Sequence, residues 1–269
     1  MSTDVFQTQA FSKEMVRQSF DDASQGYNRF TSLQRLIGDR LLAQCGAKTQ
    51  TFKRVLDIGS GTGYLTKKLS ELEAVENLYA LDIAAGMLQQ TKRNLGDYQV
   101  KGLICADAEK LPLTDKVMTT ICSNVAFQWC DDLAKVFGQA HRVLETGGSF
   151  VFSTFGPSTL HELKASWQTI DKAVHVNSFV NESEIRENLL LAGFKNISIV
   201  SEDIVKYYDS PKQLMLDLKG MGAHNINRGR RLGLTGVQRF KSMLLEYEAL
   251  RTKQGIPATF QAVYVYAEK

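Results

Sequence analysis

The stretch RVLDIGSGTGYLTKKL, residues 54–69, decides the fold. An apolar run ends in Asp57, three glycines follow at alternate positions, and a helical pattern then begins. A strand that turns on glycines into a helix allows a ligand to approach the backbone closely. Tyr64 stands where a dinucleotide fingerprint has its last glycine, and the Gly-Lys-Ser/Thr of a P-loop is absent. The stretch therefore predicts a nucleotide-like ligand other than a dinucleotide or a nucleoside triphosphate.

Short apolar runs alternate with amphipathic helical patterns over the rest of the chain. Strands are predicted at 54–59, 77–83, 100–107, 117–124, 149–155, 196–208 and 259–268, and helices at 63–72, 133–144 and 182–194. This alternation is typical of βαβ units that build a parallel sheet covered on both faces. The sequence therefore predicts an α/β fold.

Three segments lie outside this alternation. Residues 12–44 have apolar positions at helical spacing, with a break near 24–28. Residues 157–180 and 209–256 interrupt the order of strands, and both are predicted to be mainly helical. Insertions after the carboxyl ends of strands commonly build the substrate side of an α/β site. We therefore expect one domain over 1–269, with a ligand-binding core at about 50–156.

The composition is typical of a globular protein. Of the 269 residues, 43% are hydrophobic and 23% are charged. The amino terminus lacks the basic and apolar regions of a secretory signal, and no apolar run is long enough to span a bilayer. The four cysteines show neither CxxC spacing nor a cluster with histidine, so no metal site is predicted. We expect a cytoplasmic protein.

The positive charge is unevenly distributed. The net charge is +3, yet residues 212–241 contain seven Lys or Arg and one acid, so this segment alone carries +6. A local basic patch is typical of a protein with an anionic partner. A solvated face without function would have the same composition, and the charge alone leaves both interpretations open.

Three carboxylates follow three successive predicted strands. Asp57 is placed to orient the glycine loop or to face a ligand ammonium group. Asp82 is placed to accept hydrogen bonds from two ribose hydroxyls. Asp107 is placed to accept one from an adenine amino group. Each acid alone would also suit a helix cap, but three at one edge of a sheet favour a ligand site.

Four motifs in this region resemble those of class I S-adenosylmethionine-dependent methyltransferases: DIGSGTG, LDIAAGML, ADAEKLPL and RVLETGG, in that order. The resemblance covers about 54–155 and implies a Rossmann-like fold with a seven-stranded, mostly parallel sheet. It implies S-adenosylmethionine as the cofactor, with its methionine end near the glycines and Asn124 and its adenosine near the later motifs. It further implies a helical lid from the amino-terminal segment. The cofactor-binding residues it implies are Tyr27, Asp57, Gly59, Ser60, Gly61, Asp82, Ile83, Met87, Asp107, Ala108, Asn124 and Ala126.

A narrower resemblance extends over nearly the whole chain. SNVAFQWC at 123–130, LKGMGAHNINRGR at 218–230, TLHELKASWQTID at 159–171 and SLQRLIGDRLL at 32–42 are similar to the malonyl-[acyl-carrier-protein] O-methyltransferase family of biotin synthesis. Tyr27 is followed by Asn28, where that family usually has an acid. The substrate-binding residues expected on this basis are Gln128, Trp129, Lys219, His224, Asn225, Arg228 and Arg230. For the arginines a surface position, and for Trp129 core packing, remain alternatives.

The reaction implied by this resemblance needs no general base. A malonyl carboxylate is ionised at neutral pH and is itself the nucleophile, so no catalytic residue is named. Catalysis would come from positioning the reactants and excluding water. The implied partner is an acyl carrier protein bearing a malonyl thioester, and the basic segment 212–241 would attract that acidic protein.

Three other functions fit parts of the sequence. LDLKGMG at 216–222 and PATFQAVYVY at 257–266 are also similar to the protein-arginine hydroxylase of respiratory complex I assembly, which has the same fold. Nucleic-acid binding or RNA methylation would use the basic segment. That segment lacks interleaved aromatic residues, however, and the pI of about 8.6 is low for such a domain. Methylation of a small molecule such as a quinone precursor would leave the basic segment unexplained.

Overall fold

A seven-stranded sheet forms the centre of the molecule. The computed structural model describes residues 13–45, 52–96, 98, 100–220 and 236–269. The strands are β1 (Arg54–Ile58), β2 (Asn77–Asp82), β3 (Gly102–Cys105), β4 (Met118–Asn124), β5 (Leu144–Phe155), β6 (Lys195–Tyr208) and β7 (Ile256–Glu268). Their order in the sheet is β3-β2-β1-β4-β5-β7-β6. Strand β7 runs antiparallel to the other six, which are parallel to one another. The predicted α/β fold and mostly parallel seven-stranded sheet are confirmed.

Helices cover both faces of the sheet. Within the described ranges they are α1 (Lys13–Ala23), α2 (Ser32–Cys45), α3 (Tyr64–Ser70), α4 (Ala85–Leu95), α5 (Leu133–Val143), α6 (His161–Gln168), α7 (Glu182–Leu191), α8 (Pro211–Gly220) and α9 (Val237–Glu248), with 3-10 turns at Tyr27–Arg29 and Phe127–Trp129. Each predicted strand and helix matches one of these elements, although β5 begins at Leu144 rather than at 149. None of the described helices is long and apolar enough to cross a membrane.

The core consists of two apolar layers, one on each face. Side chains alternate between the faces along a strand, so Val55 packs in one layer and its neighbour Leu56 in the other. The first layer includes buried residues of α2, α3, α6, α8 and α9. The second includes residues of α5 and α7 and a group of aromatic rings, in which the ring centroids of Phe150 and Phe152 are 4.8 Å apart. The central strands are therefore buried on both faces of the sheet.

Two helices begin where a side chain caps the first turn. The Asp132 carboxylate accepts a hydrogen bond from the Lys135 backbone N–H at 3.1 Å and starts α5. The Asn181 side chain accepts one from the Glu184 backbone N–H at 2.9 Å and starts α7. Such caps satisfy donors that a helix cannot satisfy internally. They fix where the chain turns back after β4 and before β6.

The amino-terminal helices pack against the carboxyl ends of the central strands. Asp21 of α1 accepts a hydrogen bond from the Gly86 backbone N–H of α4 at 2.7 Å. On α2, a Cβ at Gly38 would lie 3.1 Å from the Asn124 amide nitrogen, so glycine permits this close packing. Tyr27 lies in the 3-10 turn between the two helices, at the break in the helical pattern that the sequence predicted near 24–28. The predicted lid, domain limits and substrate-side role of 157–180 and 209–256 stay predictions; the described parts of those segments contain α6, α8 and α9.

Candidate functional site

A cavity opens at the carboxyl ends of β1, β2 and β4. This is the edge of an open parallel sheet where ligands bind in this class of fold. Ten of the twelve predicted cofactor-binding residues line it: Tyr27, Gly59, Gly61, Asp82, Ile83, Met87, Asp107, Ala108, Asn124 and Ala126. Residues from the glycine loop, three strand ends and the amino-terminal segment are thereby brought together. We refer to this space as the main cavity.

Gly59 and Gly61 of the loop differ in why the structure requires glycine there. Gly59 has φ of 70°, and a Cβ there would lie 2.3 Å from the Ala126 Cβ. Gly61 has φ of 55°, but its Cβ would meet nothing nearer than the Tyr27 ring, at 3.9 Å. Both backbones occupy the left-handed region that favours glycine. Only Gly59 is also required by a close neighbour.

Asp82 is anchored so that its carboxylate stays at the cavity wall. One oxygen accepts a hydrogen bond from the Gly61 backbone N–H at 2.8 Å, and the other accepts one from the Ala84 backbone N–H at 2.9 Å. Burial raises the pKa of Asp82 to about 6, and backbone hydrogen bonds oppose that shift. Each carboxylate oxygen can accept more than one hydrogen bond. The group can therefore accept from two neighbouring hydroxyls of a ligand.

Asp57 lies in β1, just before the glycine loop, and is not among the residues that line the main cavity. Its carboxyl accepts a hydrogen bond from the Thr66 hydroxyl on α3 and is 1% exposed. Burial raises its pKa to about 7. The hydrogen bond from Thr66 ties Asp57 to α3. Direct contact with the cofactor stays a prediction, since the other carboxyl oxygen is buried without a hydrogen-bond partner among the described residues.

Asp107 lines the main cavity after β3, the edge strand of the sheet, and already has a cationic partner. Its carboxylate forms an ion pair with the Lys13 ammonium, which also lies 2.8 Å from Glu109. Burial lowers the pKa of Lys13, but hydrogen bonds and charges from the two acids outweigh burial, so its pKa is raised. Lys13 also lines the cavity, although no local sequence pattern indicated it. The ion pair joins α1 to the loop after β3.

Asn124 lines the cavity, but the protein already uses both ends of its amide. Its oxygen accepts a hydrogen bond from the Ser153 hydroxyl at 2.7 Å, and its nitrogen donates to the Gln34 carbonyl at 2.9 Å. The side chain therefore holds α2 against β4 and β5. One N–H of the amide is left for a ligand, because a primary amide has two.

Apolar side chains from α1 form another wall of the cavity, and the sequence did not single them out. Val16 and Phe20 line it, and the Phe20 ring packs edge-on against Trp129 at 5.4 Å between centroids. Cys130 also lines it, and burial raises the pKa of its thiol, so the thiolate form of a nucleophile is disfavoured. These residues suit an apolar ring system rather than covalent chemistry.

Of the described residues predicted to bind substrate, Trp129 lines the main cavity, and Gln128 and Lys219 do not. The Gln128 amide donates to the Val125 carbonyl at 2.7 Å. This hydrogen bond ties Gln128 to the turn after β4, and its contact with substrate stays a prediction. Lys219 is exposed in the last turn of α8. His224, Asn225, Arg228 and Arg230 lie outside the described residues.

A smaller compartment adjoins the main cavity across the glycine loop. The two share Tyr27, Gly59, Gly61 and Asn124. The residues found only in the smaller compartment are Thr31, Gln34, Arg35, Ser60, Thr62, Tyr64 and Leu65. The predicted residue Ser60 therefore lies on this side of the loop. We refer to this space as the Arg35 compartment.

The arrangement suits an extended ligand with distinct chemical groups along its length. Asp107 follows β3, the paired acceptors of Asp82 follow β2, and the glycine loop follows β1, so these groups come in the order of the strands in the sheet, and the Arg35 compartment adjoins the loop. S-Adenosylmethionine has an adenine, a ribose and an amino acid in that order. The residues present therefore fit this cofactor.

Comparisons with known proteins identify the family. A family model described as a methyltransferase domain matches residues 56–152. The YcgJ protein of Bacillus subtilis has a TM-score of 0.60 and 18% identity, covering 87% of this chain and 97% of that chain, which shows a shared fold. The chain is 39% identical to the biotin biosynthesis bifunctional protein BioHC of Cellvibrio japonicus over 95% of its own length and 50% of the relative's. It is 38% identical to the malonyl-[acyl-carrier protein] O-methyltransferase of Nitrosospira multiformis over 96% of its own length and 89% of the relative's. The chain therefore belongs to the malonyl-[acyl-carrier protein] O-methyltransferase family.

Proposed function

We propose that the protein methylates the free carboxylate of malonyl-acyl carrier protein, with S-adenosylmethionine as the donor, in biotin synthesis. The observation that carries this proposal is the 38% identity over 96% of the chain with a relative named for that reaction. The relative is not named for arginine hydroxylation, RNA methylation or quinone methylation. The cavity supports the same proposal, because its chemical groups follow the order of the cofactor's parts.

The residues of the main cavity would hold the cofactor along its length. Asp82 would accept from the ribose hydroxyls, Ile83 and Met87 would contact the adenine, and Asp107 would accept from the adenine amino group. The bound cofactor supplies an electrophilic methyl group on a sulfonium. Gly59 and Gly61 allow its amino acid portion to lie against the backbone.

The protein's contribution to the reaction is to position and to desolvate the acceptor. The malonyl carboxylate is already a nucleophile at neutral pH, so no side chain has to remove a proton. Val16, Phe20 and Trp129 line the cavity with apolar side chains, which would limit the access of water to it. A less hydrated carboxylate held in line with the methyl group is more reactive. Cys130 has no role as a nucleophile in this scheme, because its thiol stays protonated.

The proposed partner is an acyl carrier protein, which is acidic. Four basic residues of the described part of 212–241 are exposed, two on α8 and two on α9: Lys212, Lys219, Arg239 and Lys241. Charges on these helices would attract an acidic protein over a distance and orient it before contact. Arg239 is partly neutralised by Asp171 at 3.9 Å, so the lysines are the main free charges among these four. A cytoplasmic location accords with this partner.

Mass spectrometry of the carrier protein tests the proposal directly. Malonyl-acyl carrier protein incubated with the protein and S-adenosylmethionine should gain the mass of one methylene group. Acetyl-acyl carrier protein is the matched control, because it has the same thioester without the free carboxylate and should gain nothing. Malonyl-coenzyme A tests whether the carrier protein itself is required. An unchanged malonyl-acyl carrier protein, with the cofactor shown to bind, would contradict the proposed acceptor.

A further inference from the structure

The Arg35 compartment has a cationic side chain whose function the fold does not explain. Arg35 is on α2 and lines the compartment, and its Nε is buried without a hydrogen-bond partner among the described residues. A buried donor without a partner is costly, more so on a charged group. Other described arginines, such as Arg40 and Arg142, pair with carboxylates at 2.7 Å. Arg35 is therefore available to bind an anion.

The Tyr64 ring, which also lines the compartment, holds the Arg35 guanidinium in place. Its central carbon lies 5.4 Å from the centre of the Tyr64 ring, a distance at which a cation is attracted to the ring face. The Tyr64 hydroxyl donates to the Asp39 carboxylate, with both oxygens within 2.9 Å. Burial and Asp39 together raise the pKa of Tyr64 to about 12, so the ring stays neutral. The contacts through Tyr64 and Asp39 hold Arg35 at the compartment without neutralising it directly.

A second unpartnered donor lines the same space. The Ser60 hydroxyl is buried and lacks a hydrogen-bond partner among the described residues. Ser60 stands between the two glycines of the loop, and its backbone N–H is already used by the Leu81 carbonyl at 3.0 Å. The hydroxyl is thus free to donate. One guanidinium and one hydroxyl with unused donors form a site of positive potential, which suits a carboxylate.

We propose that Arg35, with Ser60, binds the carboxylate of the cofactor's amino acid portion. This inference rests on the proposed function, since it takes S-adenosylmethionine as the ligand. The compartment shares four lining residues with the main cavity, two of them glycines of the loop after β1, whereas Asp107 follows β3, two strands away in the sheet. A ligand with its adenine near Asp107 and its ribose at Asp82 reaches across the glycine loop with its amino acid. That end carries a carboxylate, for which a guanidinium fork is the best side-chain partner.

The test compares two ligands that differ by one group. S-Adenosylhomocysteine and its decarboxylated analogue are titrated by calorimetry into the wild type and into Arg35→Met. The wild type should bind S-adenosylhomocysteine roughly 10- to 100-fold more tightly than the analogue, as expected for charged hydrogen bonds. In Arg35→Met that preference should disappear, while the affinity for the analogue stays within about twofold. Arg35→Lys should recover part of the preference, because it restores the charge without the fork.

Arg29→Met is the matched control, because Arg29 is exposed in the neighbouring 3-10 turn and lines neither space. It should keep the full preference for S-adenosylhomocysteine. An equal loss of affinity for both ligands in Arg35→Met would show a structural role and overturn the inference. A retained preference with a raised KM for malonyl-acyl carrier protein would assign Arg35 to the acceptor and also overturn it.

If Arg35→Met fails to fold, the binding of the two ligands by the wild type still tests whether a carboxylate subsite exists. Equal binding of the two ligands by the wild type would exclude any carboxylate subsite. Failure of the wild type to bind either ligand would contradict the proposed cofactor instead, so the two proposals fail in different ways.

Discussion

The Lys13 ammonium forms an ion pair with the Asp107 carboxylate, although the two residues are 94 positions apart in the chain. Both side chains are about one third exposed, at 32% and 31%. The same ammonium lies 2.8 Å from Glu109, which is only 7% exposed. Because Glu109 stays available, Asp107 can bind an adenine amino group without leaving Lys13 unpaired. The contact with Glu109 would thus keep α1 attached to the cavity when the cofactor binds.

Replacing Lys13 by methionine should weaken cofactor binding. The change removes the attachment of α1 to the two acids and leaves Glu109 buried without its cation. We expect the affinity for S-adenosylhomocysteine to fall by up to about fivefold, equivalent to the ~1 kcal/mol of a partly exposed ion pair. The measurement is calorimetric titration at low and high salt. Salt should weaken binding to the wild type more than binding to the variant.

Arg17→Met provides the control for this helix. Arg17 is also on α1 and pairs with Glu14 at 2.6 Å on the surface, away from the cavity. It should bind S-adenosylhomocysteine as the wild type does. Equal losses in both variants would mean that helix stability, not the contact with Asp107, controls binding.

Alanine should be tolerated far less at Gly59 than at Gly61. Both changes place a side chain in the left-handed region, at a cost of roughly 1–2 kcal/mol each. At Gly59 the new Cβ would also lie 2.3 Å from that of Ala126, and such overlap adds about 1–3 kcal/mol. Urea unfolding in the absence of ligand should therefore show the larger loss of stability for Gly59→Ala. Similar losses for the two variants would disprove the role of the close contact.

A double variant isolates the contact from the backbone strain. Combining Gly59→Ala with Ala126→Gly removes the overlapping methyl group and leaves the unfavourable φ in place. The double variant should recover stability relative to Gly59→Ala, beyond the sum of the two single effects. Additive losses would show that the two positions do not interact.

The sequence predicted those parts of the site that local pattern determines. The positions of Asp82 and Asp107 followed from apolar runs, since the carboxyl ends of parallel strands meet at one edge of the sheet. Lys13 and Arg35 were missed because they come from helices that precede β1. Their places depend on packing between distant residues, such as Gly38 against Asn124 and Phe20 against Trp129. No spacing within the chain indicates such contacts.

The role of Asp57 also depends on a contact that the sequence does not indicate, although its position was predicted correctly. The sequence placed it at the end of β1 and left two roles open. The two acids differ in their partners: the Asp57 carboxyl accepts from the Thr66 hydroxyl on α3, whereas the Asp82 carboxylate accepts from backbone N–H groups. Both acids are buried, but only Asp82 lines the cavity.

Cofactor affinity should depend on pH through Asp82. Burial raises the pKa of this carboxyl to about 6 in the free protein, and ligand hydroxyls that donate to the ionised form would lower it. Binding of S-adenosylhomocysteine should therefore weaken as the pH falls below about 6, approaching tenfold per pH unit. Titrations between pH 5 and pH 8 provide the measurement. Asp82→Asn should bind more weakly throughout and show a flatter profile; an unchanged slope would contradict this assignment.

Protein stability should depend on pH through Asp57. Its pKa in the folded protein is raised from 3.8 to about 7, so the folded state binds the proton more tightly than the unfolded state. The contribution of this group to stability is therefore greatest below about pH 4 and is lost as the pH rises to about 7. Asp57→Asn cannot titrate, so it should become more stable relative to the wild type over that range. Urea unfolding without ligand at pH 4.5, 6 and 7.5 tests this, and parallel profiles would contradict it.

The exposed lysines of α8 and α9 should contribute to carrier-protein recognition. Replacing Lys212, Lys219 and Lys241 with glutamate reverses three charges that would face an acidic partner. We expect the KM for malonyl-acyl carrier protein to rise roughly tenfold or more at low salt, because electrostatic steering mainly affects association. The kcat should stay within about twofold, since none of the three lines the main cavity. Glutamate at the exposed Lys92, Lys101 and Lys135 gives the same change in net charge elsewhere on the protein. An equal rise in KM for that control would attribute the effect to net charge and not to a docking surface.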